Sequence, residues 1–95
     1  MGLLKPTKSE LYNIPLSYHR ISTIYEEVNT ETRIRYMSYI TYEDRQAEIA
    51  GESVFTEESD IPVDGPPRSM TVVEAYEWLK AQPEFEGAED VFENE

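Results

Sequence analysis

The sequence predicts an α+β domain: a small antiparallel sheet of two or three strands with one C-terminal helix packed on it. Three observations carry that prediction. Six of the seven tyrosines fall between Tyr12 and Tyr42, and five of these lie in two runs rich in β-branched and aromatic residues, the composition of a pleated, half-buried surface. After Thr71, apolar residues recur at helical spacing: Val72, Ala75, Tyr76 and Leu79. The chain has 95 residues, enough for one domain that buries only about 60–65% of its unfolded surface.

Residues 1–14 read as an arm, with Pro6 and Pro15 bounding it. The hairpin spans residues 16–42. Its first run, 16–28, turns at Asn29-Thr30 into the second, 32–42. The second strand alternates: Ile34, Tyr36, Ser38, Ile40 and Tyr42 on an inner face, Arg33, Arg35, Met37, Tyr39 and Thr41 on an outer one. A three-residue loop pairs Val28 with Thr32, so that Ile24 faces Tyr36 and Tyr18 faces Tyr42. The same register sets Glu27 against Arg33 and Tyr25 against Arg35, where charge and cation–π contacts fit. The first strand alternates less cleanly, because Ile21 and Ile24 fall on opposite faces. A bulge near Arg20–Ser22, or a partner over the outer face, accounts for that.

Residues 43–67 read mostly as loop. Glu43 to Glu52 has helix-forming composition but little to bury, which supports only a short helical turn. A third strand fits Ser53 to Thr56, and residues 61–67 form a proline-stiffened connection with a turn at Asp64-Gly65. The helix, about 72–81, is the best-specified element. Thr71 and Glu74 form a capping box, and Met70 with Ala75 a hydrophobic staple. Pro83 ends it. Gly87 then permits a reversal that lays Phe85 and Val91 back on the core, before a frayed acidic tail at 92–95. Aromatic residues at helical spacing are the ordinary way a helix docks on a sheet.

The net charge of −12 is concentrated: residues 43–60 hold seven acids and one base, and residues 84–95 hold six acids and no base. Neither segment offers the basic face that phosphate binding requires, which argues against direct nucleic-acid binding. Solvated loops and tails are the usual role of such runs. With no cysteine, disulfides, thiolate zinc sites and cysteine nucleophiles are excluded together. No run approaches the ~18 apolar residues of a membrane span, and the N-terminus lacks the apolar core of a signal peptide.

Catalytic chemistry finds no foothold. His19 is the only histidine, and a lone strand histidine is ordinarily structural. No serine sits in a nucleophile elbow, and no glycine-rich phosphate loop or zinc spacing occurs. Around Asp60 and Asp64-Gly65 a calcium-loop pattern fails, because Pro62 and Thr71 stand where ligands belong. The expectation is a non-enzyme without cofactor or metal.

Three pieces of the chain resemble short proteins of phages and prophages of Gram-positive bacteria, of the tail-region or virion accessory type and generally without assigned function. They are Leu16-Ser17-Tyr18-His19-Arg20-Ile21, then Ser38-Tyr39 with the acidic stretch containing Arg45, and above all Ala75-Tyr76-Glu77-Trp78-Leu79-Lys80 followed by Pro83 to Val91. Together they cover about two thirds of the chain. Trp78, where tyrosine is more familiar, and the proline-rich link at 61–67 depart from the pattern. The resemblance implies a non-catalytic structural protein of the virion or the host cytoplasm. The two-sided apolar pattern of residues 16–28 leaves Ile21, Tyr25, Met37 and Tyr39 as the candidate contact residues for a virion protein or a second copy. The alternative reading is an acidic DNA mimic that inhibits a host nucleic-acid-binding defence factor.

Overall fold

The computed structural model describes residues 1–9, 12–27 and 31–92. Its elements in chain order are strand β1 (Gly2–Lys8), β2 (Pro15–Glu27), β3 (Glu31–Tyr39), helix α1 (Tyr42–Ile49), β4 (Thr56–Val63), helix α2 (Val72–Lys80), a 3₁₀ turn (Pro83–Phe85) and β5 (Glu89–Val91). The five strands form one antiparallel sheet in the order β4-β3-β2-β1-β5. The α+β class is as expected, but a sheet of two or three strands with a single helix is not what forms. The supposed N-terminal arm is an inner strand, and the supposed loop at 43–67 contains both α1 and β4. The third strand lies beyond Ser53 to Thr56, running through Ile61, Pro62 and Val63 before the chain bends at Asp64.

The hairpin register differs from expectation by two residues. Ile24 pairs with Ile34 and Tyr25 with Arg33; a shift of two preserves the faces, because side chains alternate with period two. The expected turn at Asn29-Thr30 lies outside the described residues. A bulge between Ile21 and Thr23 falls where the broken alternation called for one. It brings Ile21 onto the same face as Ile24, and it turns Tyr18 to the other face, opposite Tyr39 rather than Tyr42.

That bulge organises the core. On one face α2 buries Ala75, Tyr76 and Leu79 against Leu3, Ile34, Val63 and Phe85, with Ile21, Ile24, Ile61 and Trp78 packed around them. Val72, expected on this stripe, is 56% exposed. The Tyr76 hydroxyl accepts from the Ile21 amide at the bulge (2.9 Å) and donates to the Met1 carbonyl (2.6 Å). One side chain thereby satisfies the irregular backbone and ties the first strand to the helix. The capping box forms as read: Thr71 Oγ1 accepts from Glu74 N at 3.1 Å, and Thr71 N donates to Glu74 Oε1 at 3.2 Å. Met70 joins the apolar cluster at Ala75. Gly87, at φ +81°, makes the reversal; Phe85 returns to the core, while Val91 pairs opposite Gly2.

The other face is held differently. Tyr18 and Tyr39 are both fully buried there, their rings 5.8 Å apart, with Tyr42 5.0 Å from Tyr18. Tyr18 lies so close over Gly2 that a Cβ at that position would stand 2.1 Å from its hydroxyl oxygen, so only glycine fits beneath the ring. Helix α1 starts at Thr41, whose Oγ1 accepts from Asp44 N at 3.1 Å, and it buries none of its own residues.

Candidate functional site

Two adjoining features set one end of the molecule apart: the outer edge of β4 and a cleft of about 540 Å³ beside it. Helix α2 and the 3₁₀ turn cover only part of the sheet. In the remainder, residues Glu57 to Ile61 of β4 line the cleft together with the apolar side chains of Leu16, Tyr36 and Phe85. Four acidic residues, Glu57, Glu58, Asp60 and Glu84, border the cleft, against the single lysine Lys8, but the side chains of Glu58 and Asp60 turn to the opposite face, onto Arg35. Glu57 accepts a hydrogen bond from Ser9 Oγ, which in turn accepts from Tyr12 N at 3.0 Å.

His19 lies at the cleft and is 1% exposed. Its Nε2 is 2.9 Å from the Lys5 carbonyl and its Nδ1 is 2.8 Å from Ser38 Oγ. A carbonyl can only accept, so Nε2 carries the hydrogen and Nδ1 accepts from the serine hydroxyl. Burial lowers the imidazole pKa, opposed by the bond to Lys5, and the ring is held neutral. It packs edge-on against Phe85 at 5.0 Å, and Phe85 packs the same way against Tyr36 at 5.4 Å. With both ring nitrogens engaged, this geometry suits a structural histidine.

The backbone of β4 has a definite polarity. Proline is tolerated within a sheet where its missing N–H would face away from the neighbouring strand, and Pro62 lies in β4 opposite Arg33. The Arg35 carbonyl accepts from Ser22 Oγ of β2 at 3.2 Å, so its backbone groups turn towards β2 and not towards its β4 partner Asp60. Both observations give the same alternation. Thr56, Glu58 and Asp60 point their amides and carbonyls away from β3. Among the described residues β4 pairs with β3 alone.

The four candidate contact residues do not make one surface. Ile21 is packed under α2. Tyr25, Met37 and Tyr39 share the opposite face, but Tyr39 is buried. Its hydroxyl accepts from Arg20 Nε at 2.8 Å and donates to Glu48 Oε1 of α1 at 2.7 Å, and Arg45 holds the same carboxylate at 2.6 Å. Burial raises the Tyr39 pKa, and the bond to Glu48 adds to the rise. Burial alone would raise the Glu48 pKa too, but Tyr39, Arg45 and Arg20 together hold it below its ordinary value. Tyr25 donates to Asp60 Oδ2 at 3.1 Å and lies beneath the Arg35 guanidinium, 5.5 Å from ring centre to Cζ. Arg35 bridges Asp60 at 2.9 Å and Glu58 at 3.1 Å, and its hydrogen bond holds the Asp60 carboxyl below its usual range. The expected contact of Tyr25 with Arg35 is therefore made diagonally across the register.

Sequence reasoning missed the β4 edge, although a signal was present. Ile61 and Val63 alternate with Asp60 and Pro62, and a proline inside an alternating run marks an edge strand. Among the described residues no cluster of histidine, aspartate and glutamate has the arrangement of a metal site, and no helix is long and apolar enough to cross a membrane. No protein family, curated protein sequence or solved structure matches the chain.

Proposed function

We propose that this chain is a non-catalytic interaction protein of a phage or prophage, a tail-region or virion accessory module that meets its protein partner through its sheet. The observation that carries the reading is the outward edge of β4. Among the described residues β4 ends the sheet with the outward backbone groups of Thr56, Glu58 and Asp60 unpaired, and such an edge is a template for another chain. The phage setting rests on the resemblance carried by Leu16 to Ile21, by Ser38-Tyr39 with the acidic stretch containing Arg45, and by Ala75 to Lys80 followed by Pro83 to Val91. The DNA-mimic alternative requires carboxylates presented freely on a rigid face at phosphate-like intervals. Its support is weaker, because Glu31, Glu48, Glu58, Asp60 and Asp90 are each engaged by an arginine or lysine.

Mass spectrometry of purified virions, with cross-linking to identify the neighbour, tests the proposal. Recovery of the chain in stoichiometric amount, cross-linked to a particle protein, is the expected result. Its absence from particles, with capture of a host nucleic-acid-binding protein instead, would overturn it in favour of the mimic.

A further inference from the structure

The edge of β4 also carries information about what can pair with it. Residues 52–64 contain five acids and no base. Within the strand, Glu57 projects to the cleft side, while Glu58 and Asp60 project to the other, where Arg35 alone bridges both. An incoming strand therefore meets a net negative charge on both of its faces: Glu57 on the cleft side and, on the other, two carboxylates that share the single guanidinium of Arg35. A second copy of β4 would be an unfavourable occupant: antiparallel pairing centred on Ser59 sets Glu58 directly against Asp60, and like charges opposite one another destabilise a strand pair. Acidic edges of this kind are a recognised guard against self-pairing. The same charges complement a strand bearing lysine or arginine. Pro62 limits the template, because beyond Asp60 it offers a carbonyl but no amide.

We infer that the partner is a basic extended segment, which adds to the sheet as a sixth strand along Thr56 to Asp60. The three outward amides and carbonyls of Thr56, Glu58 and Asp60 supply the backbone pairing, and the acids on both faces select the charge. Side chains on one face of the added strand would lie beside Glu57, Ser59 and Ile61 at the near wall of the cleft, where Ile61 suits the aliphatic stem of lysine or arginine and Glu57 its charge. This rests on the interaction-module reading and gives it a partner class. It also excludes β4 as a site of self-association.

The test uses the full chain and a fluorescent nine-residue peptide alternating lysine with threonine and valine, titrated by anisotropy at physiological salt. Binding should shift the amide resonances of residues 56–60 and weaken roughly tenfold on Glu58→Lys. Full N-methylation of the peptide keeps its charge and removes its donors, and should also weaken binding roughly tenfold. Deletion of Glu93 to Glu95 removes charge outside residues 52–64 and should leave affinity within about twofold, if it is the edge acids and not bulk charge that select the peptide at physiological salt. Equal binding of the N-methylated peptide would reduce the interaction to bulk charge and overturn the inference. So would resonance shifts elsewhere, dimerisation through β4, or no binding. The interaction-module reading fails separately, if the chain is missing from virions; a Glu58→Lys chain that still enters particles normally would sink the inference and leave that reading standing.

Discussion

The two faces of the sheet are covered by helices of almost equal length, held by opposite means. Helix α2 buries three of its nine residues, Ala75, Tyr76 and Leu79, in contiguous apolar clusters; α1 buries none of its eight. On the α1 side Tyr18 and Tyr39 supply the buried volume, and the helix contributes Glu48, gripped by Tyr39, Arg20 and Arg45. An apolar stripe stabilises through area removed from water, which does not depend on exact partners. A half-exposed carboxylate among cations adds little and loses part of that to solvent screening. The α2 face should therefore carry the stability of the fold, and the α1 face should be its softer side.

Breaking the α2 face gives the largest effect. Leu79→Ala removes a fully buried side chain and should cost about 2–5 kcal/mol, a large share of the total for so small a domain; urea unfolding measures it. Tyr76→Phe keeps the ring but orphans the Ile21 amide and loses the bond to Met1, for an expected loss of roughly 1–3 kcal/mol. A Leu79→Ala protein as stable as wild type would mean that α2 is not docked by its apolar stripe.

The α1 face sharpens the comparison. Glu48→Gln keeps the shape but removes the charge that Arg20 and Arg45 share, and should cost less than about 1 kcal/mol. A loss as large as that of Leu79→Ala would contradict the division between the faces. His19 gives the smallest effect and a distinctive pH dependence. Its folded pKa is depressed by burial, so the unfolded chain takes up a proton more readily than the folded one. The stability this group contributes is complete above about pH 6.5 and declines as the pH falls below it. Since lower pH also relieves the repulsion of an acidic chain, the comparison with His19→Gln between pH 7.5 and 5.5 isolates it. The wild type should lose stability relative to the variant as pH falls, and parallel curves would mean that the ring titrates normally.

The same contrast explains what could be read from the sequence. Helix α2, its cap, the proline stop and the bulge in β2 were legible because each is encoded locally: a 3.6-residue stripe, a Thr71–Glu74 pair, a broken alternation at Ile21 and Ile24. Strand β1 was not, because Leu3 and Leu4 give too short an apolar run, and what makes it an inner strand is pairing with His19 and Tyr18 on one side and Asp90 on the other. Helix α1 was hidden for the reason it is weakly held, having almost nothing apolar to display. The four candidate contact residues rested on the two-sided apolar pattern of residues 16–28, read as a face left uncovered. The bulge carries Ile21 to the helix side, and α1 covers Tyr39.

A partner strand can add to the sheet only if β4 presents its outward backbone to solvent in the free protein. Amide hydrogen exchange resolved by residue measures this directly, because only paired amides are protected. The amides of Glu58 and Asp60 should exchange at rates near those of exposed loops, while those of Ser59 and Ile61, directed at β3, should be protected nearly as well as the core strands. Protection of all four in the isolated monomer would mean that the edge is already occupied, and the proposed partner site would be lost.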